Sequence, residues 1–346
     1  MGHYLAKSSV LRSWPVFLKI DLSPACNLAC TICVHAPADG NPELERQRFA
    51  SNQKMDLGLL EQIVNEVKGR TAALSMYYLG DPLMYPRLNE AAEIAARAGL
   101  NTHISSNFSF HLSDGKIRDL VTSGLTHISV AVDGFTQETY ERTRVGGRLD
   151  WVRSNLERLL AYRRRLGRRY PLIEVQYIRF RHNEHERDQA LAYFRDLGID
   201  QVFDFWGSAH NYTDTDVRVR TVGAPREPGG LPKCWWPYLA MLIRFDGAVL
   251  PCCSLRLSEQ YAGGGGDDRA VGTIRGGDLW SIWNGTHYQA MRKLLANPAK
   301  AHGPETEARS FCYGCNNAYH TNVDELWKSA DRHDVPAARR RCLRVA

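Results

Sequence analysis

The stretch DLSPACNLACTICVH, from Asp21 to His35, places Cys26, Cys30 and Cys33 in a C-x3-C-x2-C array directly after the strand-like run VFLKIDL (Val16 to Leu22). Three thiols within eight residues leave a tetrahedral metal one ligand short, and His35 reads as a loop residue. Three thiolates suit three corners of a four-iron cluster and leave one iron open to a chelating small molecule. Zinc is the competing reading, for which this spacing, with no nearby fourth ligand, is poor.

Outward from that loop, short apolar runs alternate with amphipathic stretches. The strand candidates are Val16 to Leu22, Ala73 to Gly80, Asn101 to Asn107, His127 to Gly134, Ile173 to Arg179 and Gln201 to Gly207. Between them lie helical patterns of period 3.6: LGLLEQIVNEVKG, LNEAAEIAARAG, IRDLVTSG, LDWVRSNLERLLAYRRRLG and HERDQALAYFRDLG. Gly69, Gly99 and Gly198 each follow the last periodic residue, as a C-terminal cap does. Repeated strand-helix units predict an α/β chain with a parallel sheet. The Pro- and Gly-rich segment 210–232 reads as a linker between a domain at 16–209, preceded by an extension at 1–15, and a smaller module at 233–330. That module opens with LAMLIRFDGAVLPCC, a hairpin pattern turning at Asp246-Gly247, followed by the helical run LWSIWNGTHYQAMRKLLA and a basic tail at 331–346.

The chain has 346 residues, with 44 basic against 38 acidic residues, so the basic excess is mild. The runs RRRLGRR (163–169) and ARRRC (338–342) read as solvated faces. Without interleaved stacking aromatics they predict no nucleic-acid partner. No secretory h-region or span of about 18 apolar residues is present, which predicts a cytoplasmic protein that does not enter a membrane. The nine cysteines are clustered at Cys26, Cys30 and Cys33, and then at Cys234, Cys252, Cys253, Cys312, Cys315 and Cys342. In a reducing compartment that pattern points to metal or catalytic roles.

CNLACTIC after the first strand of such a repeat resembles the radical S-adenosylmethionine (SAM) superfamily. The resemblance implies a partial (β/α)6 barrel and a [4Fe-4S] cluster on Cys26, Cys30 and Cys33, with SAM chelating the fourth iron. SAM is then cleaved to methionine and a 5'-deoxyadenosyl radical that takes a hydrogen atom from the substrate. LGDPLMYP resembles the family's glycine-rich segment, which makes Gly80 and Asp81 candidates for the SAM amino group. Ser106 and Asn107 fall where relatives place polar groups near the ribose and carboxylate, and Ile32 falls at the adenine contact. AVDG followed by YERTRVGG is similar to a further family segment and assigns Arg144 to the SAM carboxylate.

Cys234, Cys252, Cys312 and Cys315 resemble the ligand set of a twitch domain, the short form of the SPASM module, an α+β unit holding one auxiliary [4Fe-4S] cluster. A structural zinc ribbon is the alternative. Cys253 is then an extra thiol beside the cluster, able to donate a hydrogen atom to a carbon radical, or else a small packing residue. This layout is similar to that of aminocyclitol and aminoglycoside dehydrogenases and epimerases. It implies a small polar substrate, a flavodoxin- or ferredoxin-type electron donor, and a redox-neutral outcome with epimerisation favoured through Cys253. Decarboxylation of a sugar acid such as cytosylglucuronate is an alternative needing a cationic clamp, for which Arg179 and Arg181 are candidates. Dehydrogenation, a peptide-modifying activity and a non-catalytic iron-sulfur protein are the others. With its first strand starting near residue 16, the sequence leaves no room before it for a leader-binding module, which favours the small substrate. Tyr212, Trp235 and Trp236 are candidates for stacking on a sugar or base.

Overall fold

The computed structural model describes residues 2–33, 35–36, 52–207, 234–253, 270–296 and 310–312. The segment 210–232, with Tyr212, and residues 313–346, with Cys315 and Cys342, lie outside the described residues.

After a short helix α1 (Gly2–Leu5), six strands alternate with helices. They are β1 (Phe17–Ile20), α2 (Leu57–Val67), β2 (Ala73–Ser75), α3 (Leu88–Arg97), β3 (Asn101–Ser106), α4 (Asp114–Thr122), β4 (His127–Val132), α5 (Gln137–Glu141), α6 (Leu149–Arg165), β5 (Leu172–Arg179), α7 (Arg187–Asp196) and β6 (Gln201–Trp206). Every strand candidate is present, and Gly69, Gly99 and Gly198 take φ of 72°, 77° and 89° just past their helices. Helix α2 shows the local logic. Asp56 accepts from Gly58 N (2.9 Å) and Leu59 N (3.3 Å) at its start, and Leu59, Leu60, Ile63, Val64 and Val67 turn one stripe into the core.

Strands β1 to β6 are parallel and in order, forming an open, partial barrel. One face of the sheet is apolar: Leu18, Ile20, Leu74, Met76, Ile104, Ile128, Val130, Val132, Ile173 and Val175 pack with helical side chains such as Ile63, Ala92, Leu120, Leu156 and Phe194. Successive strand residues point to opposite faces, so Lys19, Ser75, His103, Ser129 and Glu174 share the other face, away from those helices.

After the undescribed segment come α8 (Trp236–Leu239), β7 (Ala240–Ile243), β8 (Ala248–Leu250), β9 (Gly272–Thr273), α9 (Leu279–Trp283) and α10 (Thr286–Ala296). β7 and β8 form the expected hairpin, with Gly247 at φ 91° in its turn. β7 also pairs in parallel with β1, Phe17 opposite Ala240 and Ile20 opposite Ile243, so one nine-stranded sheet runs through both modules. The single helix expected over 279–296 is broken at Asn284-Gly285. The Asn284 side chain is taken up by the N-terminal segment, accepting from Leu11 N (2.9 Å) and donating to Leu11 O (3.0 Å).

Candidate active site

The cysteine loop leaves the C-terminal end of β1, where (β/α) barrels place their chemistry. Ala29 N donates to Val145 O (3.1 Å) and Thr31 N to Thr143 O (3.0 Å), tying the loop to the segment before α6. On its other side Asp81 N donates to Ala25 O (2.8 Å). That approach explains Gly80: a Cβ there would lie 2.2 Å from Ala25 O and 2.4 Å from Ser23 O. The glycine is required by backbone packing against the cysteine loop.

Asp81 is buried and fully used within the protein. Its Oδ1 accepts from Leu83 N (2.9 Å), its Oδ2 from Asn107 N (2.8 Å), and the Ser106 hydroxyl donates to both oxygens at 3.0 and 2.9 Å. Burial still lifts its carboxyl to about 6, against the pull of those donors. Asn107 spends its Nδ2 on Asn27 Oδ1 (2.9 Å) and places it 3.9 Å from Cys26 Sγ, an amide donor directed at a ligand sulfur. Ile32 is half-buried between Cys30 and Cys33.

Arg144 forms a fork with Asp133, the aspartate of the AVDG segment: Nε to Oδ2 at 2.7 Å and a second nitrogen to Oδ1 at 3.1 Å, with Asp133 fully buried. The same guanidinium lies close to the Cys30 thiol. Burial pushes that thiol up to about 12, and Arg144 holds the rise back. Arg144→Ala would leave Asp133 as a buried, unpaired carboxylate. It is expected to cost about 3–5 kcal/mol, seen as a depressed unfolding temperature, with Arg144→Lys recovering part because lysine has no fork. An unchanged unfolding temperature would contradict this reading.

Asp21 and a polar network along the helix-free face were not picked out by sequence reasoning. Asp21 is fully buried at the end of β1, Leu79 N reaches its Oδ1 at 3.5 Å, and burial raises its carboxyl to about 7 against Arg244. Lys19 Nζ lies 3.9 Å over the Tyr77 ring, whose edge meets His103 at 5.2 Å. His103 contacts the Ser75 hydroxyl (3.2 Å) through Nδ1 and the Ser129 hydroxyl (2.8 Å) through Nε2. Ser129 donates to Glu174 Oε1 (2.8 Å), which also accepts from Gln176 Nε2, and His127 Nε2 lies 3.4 Å from Glu174 Oε2. Burial pushes His103 down to about 4, with His127 adding to the effect. Glu174, although burial opposes it, is held at about 2 by donors from His127, Gln176 and Ser129. The signal in the sequence was a polar residue at every second strand position, but only the strand register brings those residues together.

Of the second cysteine set, Cys234, Cys252 and Cys312 lie near two buried tyrosines. Burial raises the Tyr238 hydroxyl to about 12, with Cys312 and Cys234 adding to the rise, and raises Tyr288 further, with Cys252 and Cys312 near it. Beside them a small apolar cluster of Tyr78, Leu79, Trp236, Ala240, Leu242 and Leu250 has Cys33, Cys234, Cys252 and Cys253 packed against it. One wall therefore carries thiols from both sets. Trp236 is buried, whereas Trp235 is 44% exposed and meets Phe17 edge-on at 5.7 Å. Arg179 pairs with Asp204 (2.5 Å), which also holds Arg187 (2.6 Å), and Arg181 is exposed.

Among the described residues no three His, Cys, Asp or Glu side chains close on a point as ligands of a single ion do. Cluster ligands sit on separate irons, and the donor set suits such a group. Cys26, Cys30 and Cys33 are free thiols, burial raises Cys26 and Cys30, and metal binding is what removes such protons. Asn107 and Arg144 are positioned as donors to the resulting thiolates.

The profile of the radical SAM superfamily matches residues 20–176, and that of the SPASM iron-sulfur cluster-binding domain matches residues 234–316. A tungsten-containing aldehyde ferredoxin oxidoreductase cofactor-modifying protein of Pyrococcus furiosus is 22% identical over 318 residues, 81% of this chain and 84% of that protein. A GTP 3',8-cyclase of Chlorobaculum tepidum is 25% identical over 146 residues, 42% of this chain and only 41% of the cyclase. Among solved structures, Streptococcus suis SuiB bound to S-adenosylmethionine aligns with a TM-score of 0.64 at 15% identity, over 84% of this chain and 70% of that one. anSMEcpe with bound AdoMet aligns at 0.53 and 13% identity, over 85% and 89%. No helix among the described residues is long and apolar enough to cross a membrane. Cysteine loop, open parallel barrel and matched profiles agree: the chain carries a radical SAM domain and a C-terminal SPASM iron-sulfur cluster-binding domain, and is a radical SAM enzyme that binds SAM, a [4Fe-4S] cluster and an auxiliary iron-sulfur cluster.

Proposed function

We propose that the enzyme abstracts a hydrogen atom from a small sugar, aminocyclitol or glycosyl-nucleoside intermediate and returns one from Cys253, an epimerisation of a carbinol centre. Cys26, Cys30 and Cys33 hold the first cluster. Cys234, Cys252, Cys312 and, beyond the described residues, Cys315 hold the second. When bound, the reduced cluster and SAM supply the 5'-deoxyadenosyl radical. The observation that carries the reading is the shared wall: Cys253 packs against the same apolar cluster as Cys33 of the SAM-binding loop. A thiol on the wall that carries ligands of both sets supports hydrogen return to a substrate radical formed beside the first. The Cys253 S–H bond breaks as the new C–H bond forms. The sulfur radical left behind regains one electron from a flavodoxin- or ferredoxin-type donor, by way of the auxiliary cluster, and one proton from water.

Decarboxylation of a sugar acid has less support, because Arg179 is already engaged by Asp204 and Arg181 is exposed. Ile32, Gly80, Asp81, Ser106, Asn107 and Arg144 line or brace the SAM site in this reading. Asp81, Ser106 and Arg144 act mainly by holding the cysteine loop, given the partners they already have. Trp235, half of it open, is the better placed of the paired tryptophans for stacking. The test is Cys253→Ala under anaerobic turnover. 5'-Deoxyadenosine formation in the presence of substrate is expected to persist, while the epimeric product falls by at least about tenfold. Unchanged epimer formation would overturn the role of Cys253.

A further inference from the structure

Helix α10 carries Tyr288 and Arg292 four residues apart, so the two share one face of it. Both are fully buried, and Tyr288 lies near Cys252 and Cys312. Arg292 is a cation whose partners among the described residues include no carboxylate. Its Nε donates to Pro237 O (2.7 Å), one terminal nitrogen to Ser9 O (3.0 Å) and Asn284 Oδ1 (3.5 Å), and the other to Trp283 O (2.8 Å), all neutral acceptors. The guanidinium carbon lies 4.4 Å from the Trp283 ring centre and 5.3 Å from that of Tyr288. These contacts use its hydrogens and leave its charge unbalanced. Burial pulls the group down only to about 10, so it is charged at neutral pH, and an unbalanced charge is costly in a protein interior.

The hydroxyl of Tyr288 is a second, independent observation. The polar groups of the neighbouring rings are engaged: Trp283 Nε1 donates to Ser13 O (2.9 Å), and the Tyr238 hydroxyl donates to Arg292 O (3.2 Å). The Tyr288 hydroxyl has no hydrogen-bond partner among the described residues, although its ring is wholly enclosed. Leaving a buried hydroxyl without a partner is also costly. One group accounts for both. Thiolate ligands outweigh the positive charge of an iron-sulfur core, so a ligated cluster is an anion whose sulfurs accept hydrogen bonds.

We propose that Tyr288 and Arg292 tune the auxiliary cluster, the Tyr288 hydroxyl donating a hydrogen bond to one of its sulfurs and Arg292 supplying the positive charge that balances its ligands. An added electron makes that anion more negative, so both residues favour the reduced form and raise the reduction potential. The pair thereby eases one-electron reduction of the cluster by a flavodoxin- or ferredoxin-type donor. The inference goes beyond the reaction proposed above: it needs the auxiliary cluster, and neither Cys253 nor any particular substrate.

The test is an anaerobic redox titration of the reconstituted full-length holoprotein, followed by paramagnetic resonance, with the first cluster recognised by its response to SAM. Tyr288→Phe removes only the unpartnered hydroxyl. At a fixed solution potential it is expected to lower the auxiliary cluster's reduced-to-oxidised ratio about threefold to tenfold, a tenfold change being about 59 mV for one electron. Iron and sulfide content and the first cluster's potential should not change. Arg292→Met should lower the ratio by at least about tenfold. Arg292→Lys forfeits the fork of bonds to backbone carbonyls and lowers the unfolding temperature, but it keeps the charge and should recover most of the ratio. Lower unfolding temperatures in the Arg292 variants with unchanged potentials would mean a purely structural pair and overturn the proposal. So would an unmoved auxiliary potential in fully loaded Tyr288→Phe, an equal shift of both clusters, or zinc in place of iron at the second site. Tyr288→Phe decides the question even where Arg292→Met fails to load its cluster.

Discussion

Cys30→Ala is expected to abolish SAM cleavage while leaving a folded protein that retains only the auxiliary cluster. Cys30 is the buried member of its array, 7% exposed, and is contacted by Arg144. Alanine leaves two thiols for a group that needs three, and removes a sulfur that lies close to the Arg144–Asp133 pair. Loss of partners one layer outside a metal typically costs ten- to a hundredfold, and loss of a ligand itself is expected to exceed about a hundredfold. Iron and sulfide analysis should show a loss confined to the first cluster, and SAM should no longer perturb the reduced protein's paramagnetic signal. SAM cleavage at the wild-type rate would contradict the assignment of the open iron to this loop.

Gly80→Ala removes no ligand and is nevertheless expected to empty the same site. Its Cβ would meet Ala25 O at 2.2 Å, Ser23 O at 2.4 Å and Pro24 C at 2.6 Å, all backbone atoms leading into the cysteine loop. No rotamer relieves such a contact, so the loop must move, and the bond from Asp81 N to Ala25 O breaks with it. Overpacking of this kind costs about 1–3 kcal/mol or more, here concentrated on the segment that spaces the three cysteines. Gly69→Ala is the control. It shares a positive φ of 72° but nothing lies within 4 Å, so it should lose about 1 kcal/mol of stability and keep both clusters. Full cluster loading in Gly80→Ala, measured as iron per chain, would contradict the packing argument.

The parts of this molecule written in local pattern were legible. Alternating strands and helices, glycine at Gly69, Gly99 and Gly198, and the Asp246-Gly247 turn each follow from neighbours in sequence, and the barrel strands fall where they predict. The cysteine array pointed to a cluster for the same reason, its three thiols being neighbours in sequence. What could not be read is set by register between distant segments. The parallel pairing of β7 with β1, which joins the modules in one sheet, depends on residues more than two hundred positions apart. Asp81 and Arg144 read as candidate site residues, but the sequence did not show that Ser106, Asn107 and Asp133 occupy their side chains. The Lys19-to-Glu174 ladder looked like scattered polar residues inside strands until five strands aligned them.

The most direct test of the proposed reaction is the mass of the product formed during anaerobic turnover in deuterium oxide. Return of hydrogen from an exchangeable thiol predicts a product carrying one deuterium, with that label lost in Cys253→Ala. A product lacking two hydrogens and carrying no deuterium would mean that the substrate radical is oxidised through the auxiliary cluster, and would contradict the redox-neutral account.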